Sequence, residues 1–405
     1  MYHRLVRRSR PYVIGFAALL VVFIFVALPY VDALAFIARA ASLPGTAGQI
    51  GEWRAREVIA EPVQKIPTRH GDVDGRIYHP VSGSTRRAVT LVPGVHMDGI
   101  RETRLVGMAE DLAAAGYEVL TVAPPDLQRF MITPRNTDII EDAAAWLAGR
   151  HNGGQIGMLG ISFSGGLSIV AAGRPNLRDK VAFVMSFGGH GDLPRVMRYL
   201  CSGSAPPMPP LGDATSDVEG AEHVRIHPPH DYGVAVALLG LADRGVVPPD
   251  QVEPLRQGIT TFLLASSLTL VDQSKAEREF QHAREYAQTL PEPSRTLMTY
   301  VNDRAVDKLG PVLLPVLERL NGENAAPGLS PERAPAPAAP VFLLHGAEDN
   351  VIPPIETVLL TQYLRGKTDV HAVLSRLITH AEVDQSAAAI EVWRLVGFWR
   401  DLMAQ

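Results

Sequence analysis

The sequence predicts an α/β fold: a doubly wound, mostly parallel sheet with an inserted helical cap and one N-terminal transmembrane helix. Three observations carry this expectation. Short β-branched strands alternate with helix-length segments over residues 55–190 and again over 341–405, the pattern of parallel strands joined by crossover helices. Between them, residues 191–340 show helical periodicity without convincing strands. Near the start, an uncharged apolar run over 11–31 follows a basic flank at Arg4, Arg7, Arg8 and Arg10.

That apolar run is close to the ~20 residues a helix needs to cross hydrocarbon. It is longer than the ~7–15-residue core of a cleavable signal peptide. An uncleaved signal-anchor is therefore expected, with a cleaved signal as the lesser option. The basic flank keeps residues 1–10 cytoplasmic and puts the remainder on the extracytoplasmic, periplasmic side. Residues 32–54 read as a juxtamembrane linker.

The sheet domain then begins. Residues 57–67 and 75–80 read as the first two strands, joined by the turn-prone stretch 70–75. Residues 87–92 form a buried strand ending in Pro93-Gly94-Val95-His96. Residues 102–115 have helical spacing (Leu105, Met108, Ala109, Leu112) and stop at Gly116, a natural residue just past a helix end. Residues 117–122 are a strand. Residues 137–147 are a helix with Ile139, Ile140, Ala143, Trp146 and Leu147 on one face. Residues 180–187 form the next strand. In the insert, helices are expected over 232–244, 249–270, 275–287 and 312–320, followed by a Pro/Ala-rich linker over 321–340. The sheet resumes with a strand at 341–344, a helix at 355–364, a strand at 370–377 and a closing helix at 385–403.

The chemistry centres on residues 155–166. An apolar strand, Ile156 to Leu159, runs into Gly160-Ile161-Ser162-Phe163-Ser164-Gly165-Gly166 and then an apolar helix. A serine on a sharp strand-to-helix turn is exposed on one side and backed by a helix N-terminus, whose free N–H groups favour developing negative charge. Small neighbours are required because strand and helix backbones approach closely there. Two frames fit, G-x-S-x-S around Ser162 and S-x-S-x-G around Ser164. Ser162 is the expected nucleophile, because its frame closes the strand at Gly160 and starts the helix at Phe163.

Two further strand ends supply partners. Residues 341–344 lead into His345-Gly346-Ala347-Glu348-Asp349, and residues 370–377 into Thr379-His380. Functional groups of open α/β sheets lie just past strand carboxyl ends. The order Ser162, Asp349, His380 is the one an elbow-type triad follows. A serine hydroxyl needs a base, which His380 provides, and Asp349 would orient that imidazole. Glu348 and Asp192 are fallback acids. The oxyanion donors are expected at the backbone N–H of Phe163 and at Val95 or His96, in the loop after the third strand. The His96 side chain is assigned to the rim.

These motifs, Pro93-Gly94-Val95, Gly160 through Gly166, His345 through Asp349 and Thr379-His380, resemble those of the α/β-hydrolase superfamily. The resemblance covers roughly 55–190 and 340–405. It implies an eight-stranded sheet, acyl transfer without a cofactor and a helical cap over the site. Pro93 stands where many members carry His, and Ser164 where they carry Gly.

Composition narrows the alternatives. The chain has 405 residues, a net charge of −5 and a single cysteine, Cys201. Nucleic acid is not an expected partner, and an intramolecular disulfide or cysteine-cluster metal site is excluded. His223, His227 and His230 lie in a Pro-rich loop without helical register, so no metal or cofactor is expected. The expected function is a membrane-associated serine esterase, or a thioesterase or lactonase, acting on a small-molecule substrate; apolar residues of the insert such as Phe262-Leu263-Leu264 read first as helix-packing core and second as an apolar binding surface. The alternatives are an aminopeptidase-like amide hydrolase and a non-catalytic hydrolase-like binding protein.

Overall fold

The computed structural model describes residues 26–209, 217–269, 271–322, 328–378 and 389–405. In chain order the elements are α1 (Val26–Ala40), α2 (Gly45–Arg54), β1 (Val58–Ala60), β2 (Gln64–Ile66), β3 (Val73–Pro80), β4 (Ala88–Val92), α3 (Thr103–Ala114), β5 (Glu118–Val122), α4 (Pro125–Gln128), α5 (Pro134–Arg150), β6 (Ile156–Ile161), α6 (Phe163–Ala172) and β7 (Val181–Phe187). The insert holds α7 (Leu193–Ser202), β8 (Val218–Glu219), α8 (Tyr232–Leu241), α9 (Val252–Leu268), α10 (Gln273–Thr289), α11 (Ser294–Asn302) and α12 (Val306–Gly322). β9 (Val341–Gly346), α13 (Ile355–Leu364), β10 (Val370–Ser375) and α14 (Ala389–Met403) complete the chain.

The strands make one mixed sheet in the order β1-β3-β5-β4-β6-β7-β9-β10-β8, with β2 on β3. β1, β2 and β5 pair antiparallel with β3, and every other pairing is parallel. Helices cover both faces. Ile139 and Ile140 of α5, Leu167 and Ile169 of α6, and Val358 of α13 pack on one side. Phe36 of α1, Leu105 and Leu112 of α3, and Leu395 and Phe398 of α14 pack on the other. β4 is buried along its whole length, as a central strand covered on both faces must be.

Among the described residues ten strands replace the eight implied by family resemblance. Pro62 has no N–H to donate to a ladder, and the expected first strand breaks there into β1 and β2. β8 is two residues long, too short to show a period. The insert also contains α7 and α11, which the expected helices omit, and α12 starts at Val306 despite Pro311 and Pro315 inside it. Its apolar residues, among them Leu238, Ile259, Phe262, Met298 and Leu313, form a core separate from the sheet's.

Two expected linkers are packed structure. Residues 328–340 lie against the sheet domain: Thr137 Oγ1 donates to the Gly328 carbonyl at 2.7 Å, and Tyr363 donates to the Ala334 carbonyl at 2.9 Å. Residues 32–54 fold onto the core. The Phe36 and Trp399 rings meet at a 49° tilt with centroids 4.3 Å apart, Arg39 pairs with Asp111 at 2.8 Å, and Asp32 pairs with Arg54 and Arg86. Most of the expected transmembrane stretch, through residue 25, lies outside the described residues. Among the described residues no single helix is long and apolar enough to cross a membrane; α1 and α2 meet the test only as a pair bent by 113°.

Candidate active site

Ser162 sits between β6 and α6 with φ 57° and ψ −132°. Such a positive φ is costly for a residue with a Cβ and persists only where surrounding contacts enforce it. Here they do. The Ser162 N–H donates to the Phe187 carbonyl at 2.7 Å, and the Ser162 carbonyl accepts from Gly165 N–H at 2.8 Å. The side chain is partly exposed, and Phe163 opens α6 directly behind it.

The small residues around it are dictated by contact. A Cβ on Gly160 would overlap the Ser164 carbonyl, and one on Gly165 would overlap Ser186 Oγ. One on Gly166 would lie 2.5 Å from the His190 ring. A Cβ on Gly94 would stand 3.3 Å from Ser162 Cβ, so the loop after β4 passes directly beside the serine. Ser164 points the other way. It is fully buried, and its hydroxyl donates to the Pro93 carbonyl at 2.5 Å.

Asp349 follows β9 and is buried. Its Oδ1 accepts from the N–H groups of Val351 (2.8 Å) and Ile352 (3.1 Å), and its Oδ2 lies 3.4 Å from His345 Nε2. Gly188 links the two catalytic candidates. It follows Phe187, which holds Ser162, and a Cβ on it would stand 3.6 Å from Asp349 Oδ2. Burial and the negative charge of Asp349 push the Tyr199 phenol above its ordinary range.

A group of partly buried apolar side chains bridges the sheet domain and the insert. Val95, Met97, Met131, Met197 and Tyr232 all pack on the insert's apolar core. Val95, Met197 and Tyr232 also touch the cluster that contains Phe163. The sequence reading assigned no role to the methionines or Tyr232. They sit in four separate segments and share no period, so only the fold brings them together.

No family model matches the sequence, and no curated protein matches it. Solved structures similar to it include the esterase of Pyrobaculum calidifontis, at 15% identity over 94% of this chain and 90% of that one, with TM-score 0.39. Brefeldin A esterase, a bacterial homologue of human hormone sensitive lipase, is 13% identical over 93% and 84%, with TM-score 0.41. The acylaminoacyl peptidase of Pyrococcus horikoshii is 12% identical over 89% of this chain and 43% of its own, with TM-score 0.43. A serine on a strained strand-to-helix turn, carried by a mostly parallel sheet covered on both faces, is the decisive local feature.

The fold is of the α/β class.

Within this α/β fold the other described candidates take defined places. His380 lies outside the described residues. Val95 and His96 follow Gly94, and His96 Nδ1 accepts from Asp98 N–H at 3.2 Å, a local contact on the loop. Glu348 is half exposed, with His227 Nε2 at 3.9 Å. Asp192 caps α7 through Arg195 N–H at 2.9 Å and pairs with Arg333 at 2.5 Å, so it is committed to structure. His345 has both ring nitrogens engaged, by Thr357 Oγ1 at 2.8 Å and the Ile352 carbonyl at 2.9 Å. His223, His227 and His230 face different carboxylates, Glu222 with Glu391, Glu348 and Asp231. No three metal-ligating side chains converge among the described residues.

His190 lies under the elbow. Its Nε2 donates to the Leu329 carbonyl at 2.7 Å, and complete burial lowers its pKa from 6.5 to about 4. Between those values the unfolded chain takes up a proton that the folded one refuses. The stability is thus full above pH 6.5 and is lost as pH falls toward 4, by about 3 kcal/mol. Urea melts of the wild type between pH 7.5 and 4.5 are expected to show this slope, and His190→Gln to flatten it. An equal slope in both proteins refutes the assignment.

Proposed function

We propose that this protein is a serine hydrolase that cleaves carboxylic esters, thioesters or lactones of apolar acids through an acyl-enzyme on Ser162. The backbone conformation of Ser162 carries this reading, because a strained serine at a helix N-terminus serves no packing purpose that glycine would not serve better. His380 takes the hydroxyl proton as Oγ attacks the substrate carbonyl, and Asp349 holds the resulting imidazolium. The N–H groups of Phe163 and of Val95 or His96 receive the oxyanion. Collapse expels the alcohol or thiol with the proton from His380. Water then repeats the sequence on the acyl-enzyme. Met197, packed on the cluster that contains Phe163, supports an apolar acyl group, since an unbranched thioether side chain adapts to varied apolar shapes.

We also propose that residues 11–31 anchor the protein, with the hydrolase on the extracytoplasmic side. The basic flank and the apolar run support this. So do exposed apolar residues on α1 and α14: Val26 is 60% exposed, Ile390 61% and Trp393 62%, and the Tyr30 and Trp393 rings meet at 6.4 Å. Aromatic residues beside apolar surface suit the membrane–water boundary. Because α1 is packed on the core, an anchor continuous with it would hold the hydrolase flush against the bilayer.

One experiment tests both. In cells producing the full chain, a fluorophosphonate probe is expected to label the wild type and Ser164→Ala but not Ser162→Ala, in a membrane fraction resistant to carbonate. Labelling that survives Ser162→Ala removes the nucleophile assignment. A folded wild type that never labels favours the binding-protein alternative. A labelled band released by carbonate overturns the anchor.

A further inference from the structure

We propose that Ser164 is a positioning residue for the oxyanion pocket: its hydroxyl holds the Pro93 carbonyl and thereby fixes the loop bearing Val95 and His96 against Ser162. The inference rests on the serine-hydrolase reading. It starts from where the β4–β6 ladder stops. The last paired residues are Val92 and Gly160. Pro93 lies one residue beyond, buried, with its carbonyl past the end of the strand pairing. A buried carbonyl needs a donor, and Ser164 Oγ supplies it at 2.5 Å.

The tether is short and stiff at both ends. At one end Ser164 is fully buried, with its carbonyl packed so tightly on Gly160 that no Cβ fits there. At the other, Pro93 has a ring-locked φ and is followed at once by Gly94, which touches Ser162. Val95 is therefore two residues from the anchored carbonyl. Glycine at position 164, as the usual elbow pattern has it, would offer no donor to this loop. Oxyanion donors act by being already in place when charge develops, and misplacement by about 1 Å costs on the order of 100-fold in rate. A freed loop that retains part of its position is expected to cost less.

The test compares full-length wild type, Ser164→Ala and Ser164→Gly, with rates expressed per active site titrated by the fluorophosphonate burst. Both variants are expected to label to completion and to keep KM within about twofold, while kcat falls about tenfold. Affinity for an alkyl trifluoromethyl ketone is expected to weaken by the same factor. In that adduct Ser162 Oγ bonds to the ketone carbon, the hydroxyl proton passes to His380 and the ketone oxygen becomes the oxyanion. Its binding therefore reports the pocket itself. A merely structural role would lower the melting temperature and the titrated fraction but leave per-site kcat and ketone affinity at wild-type values, and that result overturns the proposal. A folded wild type that neither labels nor turns over any ester removes the hydrolase reading, and the proposal with it.

Discussion

Ser162→Gly is expected to give a protein more stable than the wild type and devoid of activity. At φ 57° and ψ −132° the serine carries backbone strain, of order 1–3 kcal/mol for such conformations. Glycine adopts them freely but loses about 0.5–1 kcal/mol to extra freedom in the unfolded chain. The net gain is about 1 kcal/mol. Ser162→Ala keeps the Cβ and the strain, and should melt with the wild type. Both variants lose the nucleophile, and kcat is expected to fall by about 10⁴–10⁶-fold. Thermal melts and initial rates on a short-chain p-nitrophenyl ester check this together. A Ser162→Gly protein that melts below the wild type removes the strain argument, and one that retains most of its activity removes the nucleophile.

The second large effect is expected at Glu356, on α13. Its carboxylate is fully buried. It accepts Arg195 Nε at 2.5 Å, Arg195 Nη2 at 2.8 Å and the N–H groups of Gly191 and Asp192 at 3.0 Å each. Arg195 also grips Glu332 at 2.6 and 2.9 Å. One buried carboxylate thus ties α7, the first helix of the insert, to the sheet domain and to the returning segment. Glu356→Ala leaves two N–H groups without acceptors and a partly uncompensated guanidinium, which costs about 3–5 kcal/mol. Arg195→Ala should cost far less in that background than in the wild type, because the two changes remove one network. Urea denaturation of the two single variants and the double variant measures the coupling. A Glu356→Ala loss below about 1 kcal/mol, or simple additivity, would show that the network does not hold the insert.

Much of the sheet domain was legible because its periods are strong and its stops are marked. Residues 355–364 form a helix with the expected bounds, and Gly116 follows α3 in a positive-φ conformation that favours glycine. The turn at Ser162 was legible for the same reason: three glycines crowd it, and each meets an atom that leaves no room for a side chain. The function of Ser164 was not legible, since its partner Pro93 is 71 residues away in sequence. Nor was α7, whose Arg195 finds its carboxylates 137 and 161 residues further on. The expected linkers failed because composition reports backbone preference and not what a segment packs against. Residues 328–340 are rich in proline and alanine, yet Ser330 and Pro331 are buried and Ser330 Oγ accepts from Leu193 N–H at 3.0 Å.

β8 has a consequence for how the insert can move. This two-residue strand joins the insert to the sheet edge, pairing Val218 with Ala372 and Glu219 with Val373 of β10. Gly220, which ends it, passes so close to the Leu374 carbonyl that no Cβ would fit. The insert is therefore fastened at its start, where Arg195 pairs with Glu356 of α13, and again by the backbone pairing of β8 to β10. An insert fastened to one sheet at two separated points has no single hinge on which to swing as one flap.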